Sequence, residues 1–226
     1  MNAQKANNTI EKVRELQRNL YLAAKLNSKR KFHALHDKVY RKDILMEAWK
    51  RVKANGGAGG IDKMTITDVE AYGLEKFILE IQQGLKEGTY HPKPVRRTYI
   101  PKGKTEKRPL GIPIIKDRII QMAVKIIIEP IFEADFKECS YGFRPKRSAH
   151  QALDRIREDT AKKGWWIVDA DIKEYFNNIN HEKLMLMVKQ RISDRKILKM
   201  IWKWLRAGVM EKGEYAKVTL EVLKEV

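Results

Sequence analysis

From Trp165 to Ile172 the chain reads "WWIVDADI", an alternation that fits an extended strand. With a two-residue period, Ile167, Asp169 and Asp171 share one face, and Trp166, Val168, Ala170 and Ile172 share the other. The second set is wholly apolar and is expected to face a core. The acids are then expected to look out from the carboxyl end of a sheet.

Much of the remaining sequence has a helical period. Ile10, Val13, Leu16, Leu20 and Ala24 recur at three- and four-residue steps, with Lys12, Arg14, Arg18 and Lys25 on the opposite face. The following "NSKRKFHALHDKVYRKD" reads equally as a solvated charge run or as a basic arm for nucleic acid. A second helix through Ile44, Leu45, Ala48 and Val52 ends at "NGGAGG", residues 55–60. So many glycines imply a flexible loop or, alternatively, a nucleic-acid contact. A third helix has Thr67 as candidate N-cap and closes near Gly84 or Gly88.

Asp117 reads as the N-cap of a long buried helix through Ile120, Ala123, Val124, Ile127 and Ile131. Pro130 is expected to end or kink that helix near Glu129. Ser148 and Gln151 form a capping-box pattern for another helix, which Gly164 breaks. Phe176 reads as core, and Trp202 and Trp204 as packing on a helix.

Between the helices, "YHPKPVRRTYIPKGKTEKRPLGIP" predicts a hairpin, with a strand over 94–100, a turn over 103–107 and a second extended segment. Lys93, Arg96, Arg97, Lys102, Lys104, Lys107 and Arg108 face a single acid, Glu106, and prolines at both ends restrict the backbone that carries them. The whole chain repeats this bias: 47 Lys+Arg against 29 Asp+Glu leave a formal net charge of +18. Such a surplus points to a polyanionic partner, because neutralising phosphates and releasing counterions drives nucleic-acid binding. With 43% hydrophobic residues the chain can also build a core. A single Cys139 excludes a disulfide framework and a cysteine-cluster zinc site, which fits a reducing, cytoplasmic setting. No stretch approaches the roughly 18 apolar residues of a membrane span. The five histidines show no metal-ligand spacing.

Asp171 carries two readings. Asp171-Ile172-Lys173-Glu174 resembles a capping box with Asp in the leading position. A carboxylate there also suits Mg²⁺, which takes one or two protein acids and fills its shell with water and substrate phosphate. Fixed cations near a carboxylate-bound metal are what a triphosphate requires.

"RPLGIPIIKDRIIQ", "SYGFRPKRSAHQAL" and "VDADIKEYFNNINH", in this order and at these separations, resemble the reverse transcriptases encoded by group II introns. "GGAGGIDKMT" resembles the segment before the fingers in that family, and "EKVRELQRNLYLAAK" its N-terminal helix; the likeness covers about residues 10 to 215. It implies an α+β right-hand polymerase: an N-terminal helical extension over 1–60, fingers over 61–160 and part of a palm over 161–226. Asp171 matches the first catalytic aspartate of that palm, which binds both Mg²⁺ ions, with the backbone carbonyl of Ile172 completing a ligand set. Tyr175 matches the steric gate beneath the sugar, and Lys102 and Arg108 the residues that hold the incoming triphosphate. Arg96, Arg97, Lys104 and Lys107 are expected to contact nucleic acid. Arg144 reads equally as a template contact and as a brace for the "GFRP" turn. The implied partners are intron and template RNA, a DNA primer and a deoxynucleoside triphosphate.

One departure matters. After "AGVMEKGEY" the sequence runs "AKVTLEVLKEV", without the family's Gln-Gly segment and Tyr-x-Asp-Asp turn. The expectation is an incomplete palm and a polypeptide that does not polymerise DNA by itself, with a non-catalytic, maturase-like RNA-binding module as the alternative. The fingers or an open sheet edge could then join copies into a homo-oligomer.

Overall fold

The computed structural model describes residues 3–103, 106–162, 166–173, 175–176 and 178–216. Helices and one sheet are mixed, so the chain is α+β. α1 (Ala3–Leu26) buries Val13, Leu20 and Ala24, as its period requires. After α2 (His36–Val39), α3 (Lys42–Asn55) buries Ile44, Leu45, Ala48, Trp49 and Val52, then stops at Gly56, whose φ of 60° few side-chain-bearing residues tolerate.

The third helix expected from the sequence is two. α4 (Ile66–Tyr72) and α5 (Leu74–Glu87) are separated by Gly73 at φ 100°, a backbone that breaks the helical hydrogen-bond ladder. The cap of α4 is Thr65 rather than Thr67: its hydroxyl accepts from the Asp68 N–H while the Asp68 carboxylate accepts from the Thr65 N–H. β1 (Val95–Lys102) and β2 (Glu106–Ile112) form the expected hairpin.

α6 (Ile115–Glu133) is the centre of the core and packs on α1, α2 and α3. Its Ile115, Ile119, Ile120, Ile126, Ile127 and Ile131 are at most 1% exposed. Each is worth about 2 kcal/mol in removed apolar surface. The expected cap fails here, and of the two outcomes expected of Pro130, an end or a kink, the first does not occur. Ile114, not Asp117, is the N-cap, and Asp117 is the buried third residue of the helix. Pro130 does not end the helix either, which continues to Glu133. A proline lacks the N–H that would bond the carbonyl four residues back. Gln17 on α1 supplies the replacement, its Nε2 donating to the Ile126 carbonyl at 3.0 Å.

α7 (Ala149–Lys162) starts with the expected reciprocal bonds between Ser148 and Gln151. α8 (His181–Arg191) and α9 (Arg195–Leu205) return to the N-terminal helices. Phe32 and Ile192 form a parallel bridge. Arg191, 4% exposed, donates to the carbonyls of Ala24, Asn27 and Ser28 at the end of α1. Its Nε lies 3.0 Å from Asp135 Oδ2, an ion pair whose angle is too poor for a hydrogen bond. Asp194 caps α9 through Lys196 N and Ile197 N and also accepts from Leu35 N and His36 N. One apolar cluster joins residues of α1 to α6 with Ile192 and, on α9, Ile197 and Met200.

β3 (Val209–Glu211) and β4 (Glu214–Ala216) form a second hairpin that the sequence reading did not identify. The sheet order is β2-β1-β3-β4, with β3 parallel to β1 and the other neighbours antiparallel. The strand expected over 165–172 is absent from this sheet. Residues 166–172 are irregular, and the face expected to be core is open: Trp166 is 94% exposed, Val168 93% and Ile172 66%. Alternation shows which side chains share a face, but a strand also needs a neighbour for its backbone N–H and C=O groups. No strand among the described residues offers one. Phe176, read as core, is also exposed, its ring edge-on to Tyr175 at 5.4 Å.

Candidate nucleotide and nucleic-acid interface

The hairpin is fixed at its base by a buried polar chain. Tyr90 Oη donates to Asp117 Oδ1 at 2.8 Å and accepts from Trp204 Nε1 at 2.8 Å. Asp117 Oδ2 accepts from Lys93 N at 2.9 Å, two residues before the strand. Burial pushes the Asp117 carboxyl above its ordinary range, against the pull of the bonds from Lys93 and Tyr90. Burial beside this acid likewise raises the Tyr90 phenol. β1 then joins β3 through Val95 N and Gly208 O at 3.0 Å. These partners lie 24 to 114 positions apart, beyond the reach of local spacing.

The glycine-rich segment is anchored rather than loose. Arg96 donates twice to Gly59 O, at 3.0 and 2.8 Å, and Arg118 donates to the carbonyls of Gly56, Ala58 and Pro113. A Cβ on Gly59 would lie 2.6 Å from the Lys63 carbonyl carbon, and one on Gly60 would lie 2.6 Å from Ile114 N. Glycine is needed there for close backbone approach.

The hairpin register decides which cations act together. Ile100 faces Arg108 and Lys102 faces Glu106, so Lys102 and Arg108 are diagonal neighbours on one face, both exposed. Lys102 Nζ is 3.3 Å from Glu106, an exposed pair that a competing anion could open. Lys107 lies on the opposite face across from Pro101. Lys104 lies outside the described residues. Of Arg96 and Arg97, expected to contact nucleic acid, Arg96 is hydrogen-bonded to Gly59, and Arg97, its side chain 8% exposed and its Nε without a hydrogen-bond partner, lies 4.0 Å from Glu211, which accepts from Tyr99 Oη at 2.8 Å. That bond raises the Tyr99 phenol.

Of the two roles open to Arg144, its bonds are those of a brace. The guanidinium is 5% exposed, grips the Glu133 carboxylate through Nε and Nη2, and donates to the carbonyls of Lys137 and Ser140 at 2.7 Å. Asp171, Ile172 and Tyr175 are all exposed, in the irregular segment after residue 165. Glu174, which the capping-box reading of Asp171 needs, lies outside the described residues. No group of three potential metal ligands is gathered among the described residues. Asp171 is thus part of no gathered ligand set among the described residues.

Residues 100–224 match the family described as reverse transcriptase (RNA-dependent DNA polymerase). The chain belongs to this family. This reverse transcriptase chain is 42% identical over 187 residues to the group II intron-encoded protein LtrA of Lactococcus lactis subsp. cremoris, covering 82% of the chain and 31% of that relative. It is 35% identical over 210 residues to protein YkfC of Escherichia coli (strain K12), covering 89% of the chain and 54% of YkfC. A shorter match, 34% over 90 residues, joins 39% of it to 12% of the nuclear intron maturase 1, mitochondrial, of Arabidopsis thaliana. It thus spans about a third of LtrA and half of YkfC. Family members work with divalent metal ions. No helix among the described residues is long and apolar enough to cross a membrane.

Proposed function

We propose that the chain is the N-terminal helical extension, fingers and first palm segment of an RNA-directed DNA polymerase of group II intron type. The observation that carries this reading is the shared face of Lys102 and Arg108 on a hairpin pinned at its base by Tyr90 and Asp117. Two cations that are diagonal neighbours on one face of a ladder suit the β and γ phosphates of a deoxynucleoside triphosphate. In this reading Asp171 and the Ile172 carbonyl hold Mg²⁺, which when bound neutralises phosphate charge, and Tyr175 lies beneath the sugar. Lys107 faces the template or primer backbone. Arg96, Arg97 and Arg144 act indirectly, by holding the glycine-rich segment, the sheet and the turn after α6.

A polypeptide of these 226 residues is proposed not to extend a primer, since it carries one of the palm acids and two metals need more. A primer-extension assay with Mg²⁺ tests this, and synthesis by the purified chain would refute it. Nucleotide binding is separable. Lys102→Ala with Arg108→Ala should weaken triphosphate binding at least tenfold in a fluorescence titration, and an unchanged affinity would remove the fingers assignment.

The net charge of +18 favours a second reading, a maturase-like module that binds intron RNA. Asp171→Asn should then leave RNA affinity unchanged, while neutralising Lys12, Arg14 and Arg18 on α1 should lower it and flatten its salt dependence.

A further inference from the structure

A cavity of about 410 Å³ opens between α2 and the start of α9, walled by His33, His36, Tyr40, Ser193, Arg195 and Lys196. Its acids are already occupied. Asp194 accepts four backbone N–H bonds, and Asp37 lies 3.2 Å from the Lys38 ammonium. Arg195 and Lys196 are exposed in the first turn of α9, a turn that holds no acid. Cations there oppose the helix dipole, so local stability does not account for them. His36 is only 8% exposed and meets the Tyr40 ring edge-on at 5.3 Å, yet among the described residues its ring nitrogens have no hydrogen-bond partner. The ring nitrogens are not sealed from solvent, so a ligand entering the cavity can bond them. Burial, and then the Lys196 ammonium, hold its pKa below the ordinary imidazole value, so near neutral pH it presents one donor and one acceptor.

We propose that this cavity binds one unstacked nucleotide of single-stranded nucleic acid, with the phosphate between Arg195 and Lys196 and the base against the Tyr40 and His36 rings. Stacking rings beside fixed cations are how proteins hold splayed-out nucleotides. A phosphate alone would use neither ring, and an apolar ligand neither cation. The volume falls within the range of small-molecule sites. The choice of a nucleic-acid ligand rests on the proposed RNA-binding role; the cavity and its cations do not.

The test titrates the 226-residue chain with adenosine 5′-monophosphate, adenosine or inorganic phosphate while following the His36 imidazole resonances, assigned with His36→Gln. The monophosphate should give a saturable shift, with affinity at least tenfold above that of either fragment. The double variant Arg195→Gln, Lys196→Gln should lose at least fivefold in that affinity while its melting temperature stays level or rises, because two like charges leave the helix start. Equal affinity for inorganic phosphate would overturn the nucleotide assignment, and no His36 shift at millimolar monophosphate would overturn the site. RNA binding by the same preparation separates the failures. RNA bound without a His36 shift sinks the cavity alone, whereas absence of RNA binding sinks the broader role as well.

Discussion

At Ile192–Asp194 an apolar residue and the acid after it are buried and bonded on several sides; at Trp166–Asp171 a longer apolar run with its acids lies open to solvent. Ile192 is fully buried and Asp194 is 7% exposed, whereas Trp166 is 94% exposed. The two stretches differ in what surrounds them. The starts of α2 and α9 converge on Asp194 with four N–H groups, and the end of α1 offers its carbonyls to Arg191 next door. No described strand lies beside residues 166–172. Hydrophobic character alone does not bury a segment, because its backbone groups must also find partners.

The largest test of this contrast is Arg191→Ala. It leaves the carbonyls of Ala24, Asn27 and Ser28 without their donor and should lower the unfolding free energy by about 3 kcal/mol. Chemical denaturation measures this, and a loss below about 1 kcal/mol would mean that the clasp is not what holds this region.

Asp194→Ala should cost about 2 kcal/mol, since one carboxylate caps two helix starts. It should also alter the pH dependence. Burial raises the Asp194 pKa, but bonds from Leu35, His36, Ile197 and Lys196 outweigh it, and the folded value lies below the ordinary one. Its stabilisation is therefore complete above about pH 4 and is lost as the pH falls through the lower folded value. Acid unfolding followed by circular dichroism should be less steep in Asp194→Asn than in the parent.

A smaller effect is expected where α6 passes Pro130. Gln17→Ala should destabilise by about 1 kcal/mol. In a Pro130→Ala background most of that loss should vanish, because the restored amide serves the Ile126 carbonyl. A double-mutant cycle with no coupling would show that Gln17 does not stand in for the missing N–H.

Smallest of all, Trp166→Ser should change stability by less than about 0.5 kcal/mol, as at any exposed position. A loss above about 2 kcal/mol would put Trp166 in a core and erase the contrast with Ile192.

Much of the helical framework was legible because it is periodic. The buried face of α1, the residues of α3 and α6, the Ser148–Gln151 cap and the Lys102–Arg108 hairpin could all be read from spacing. The Thr65–Asp68 cap was equally local and was misplaced by two residues. The base of the candidate site could not be read, since Tyr90, Asp117 and Trp204 meet across separations of 27 and 114. Nor could the engagement of Arg96, Arg97 and Arg144, whose charge points equally to phosphate or to a carbonyl or acid elsewhere in the fold.

By itself the sequence determined the side chains that α1, α3 and α6 turn inward, the excess of positive charge and the motifs that carry the family resemblance. All of these depend on neighbours within a few residues or on composition. Tertiary structure alone decided which of the cations are held by carbonyls or acids elsewhere in the fold. It also decided that α6 survives its proline and that the run at 166–172 stays open. Those outcomes depend on whether a distant donor, acceptor or strand arrives within hydrogen-bonding range, and no local period encodes that.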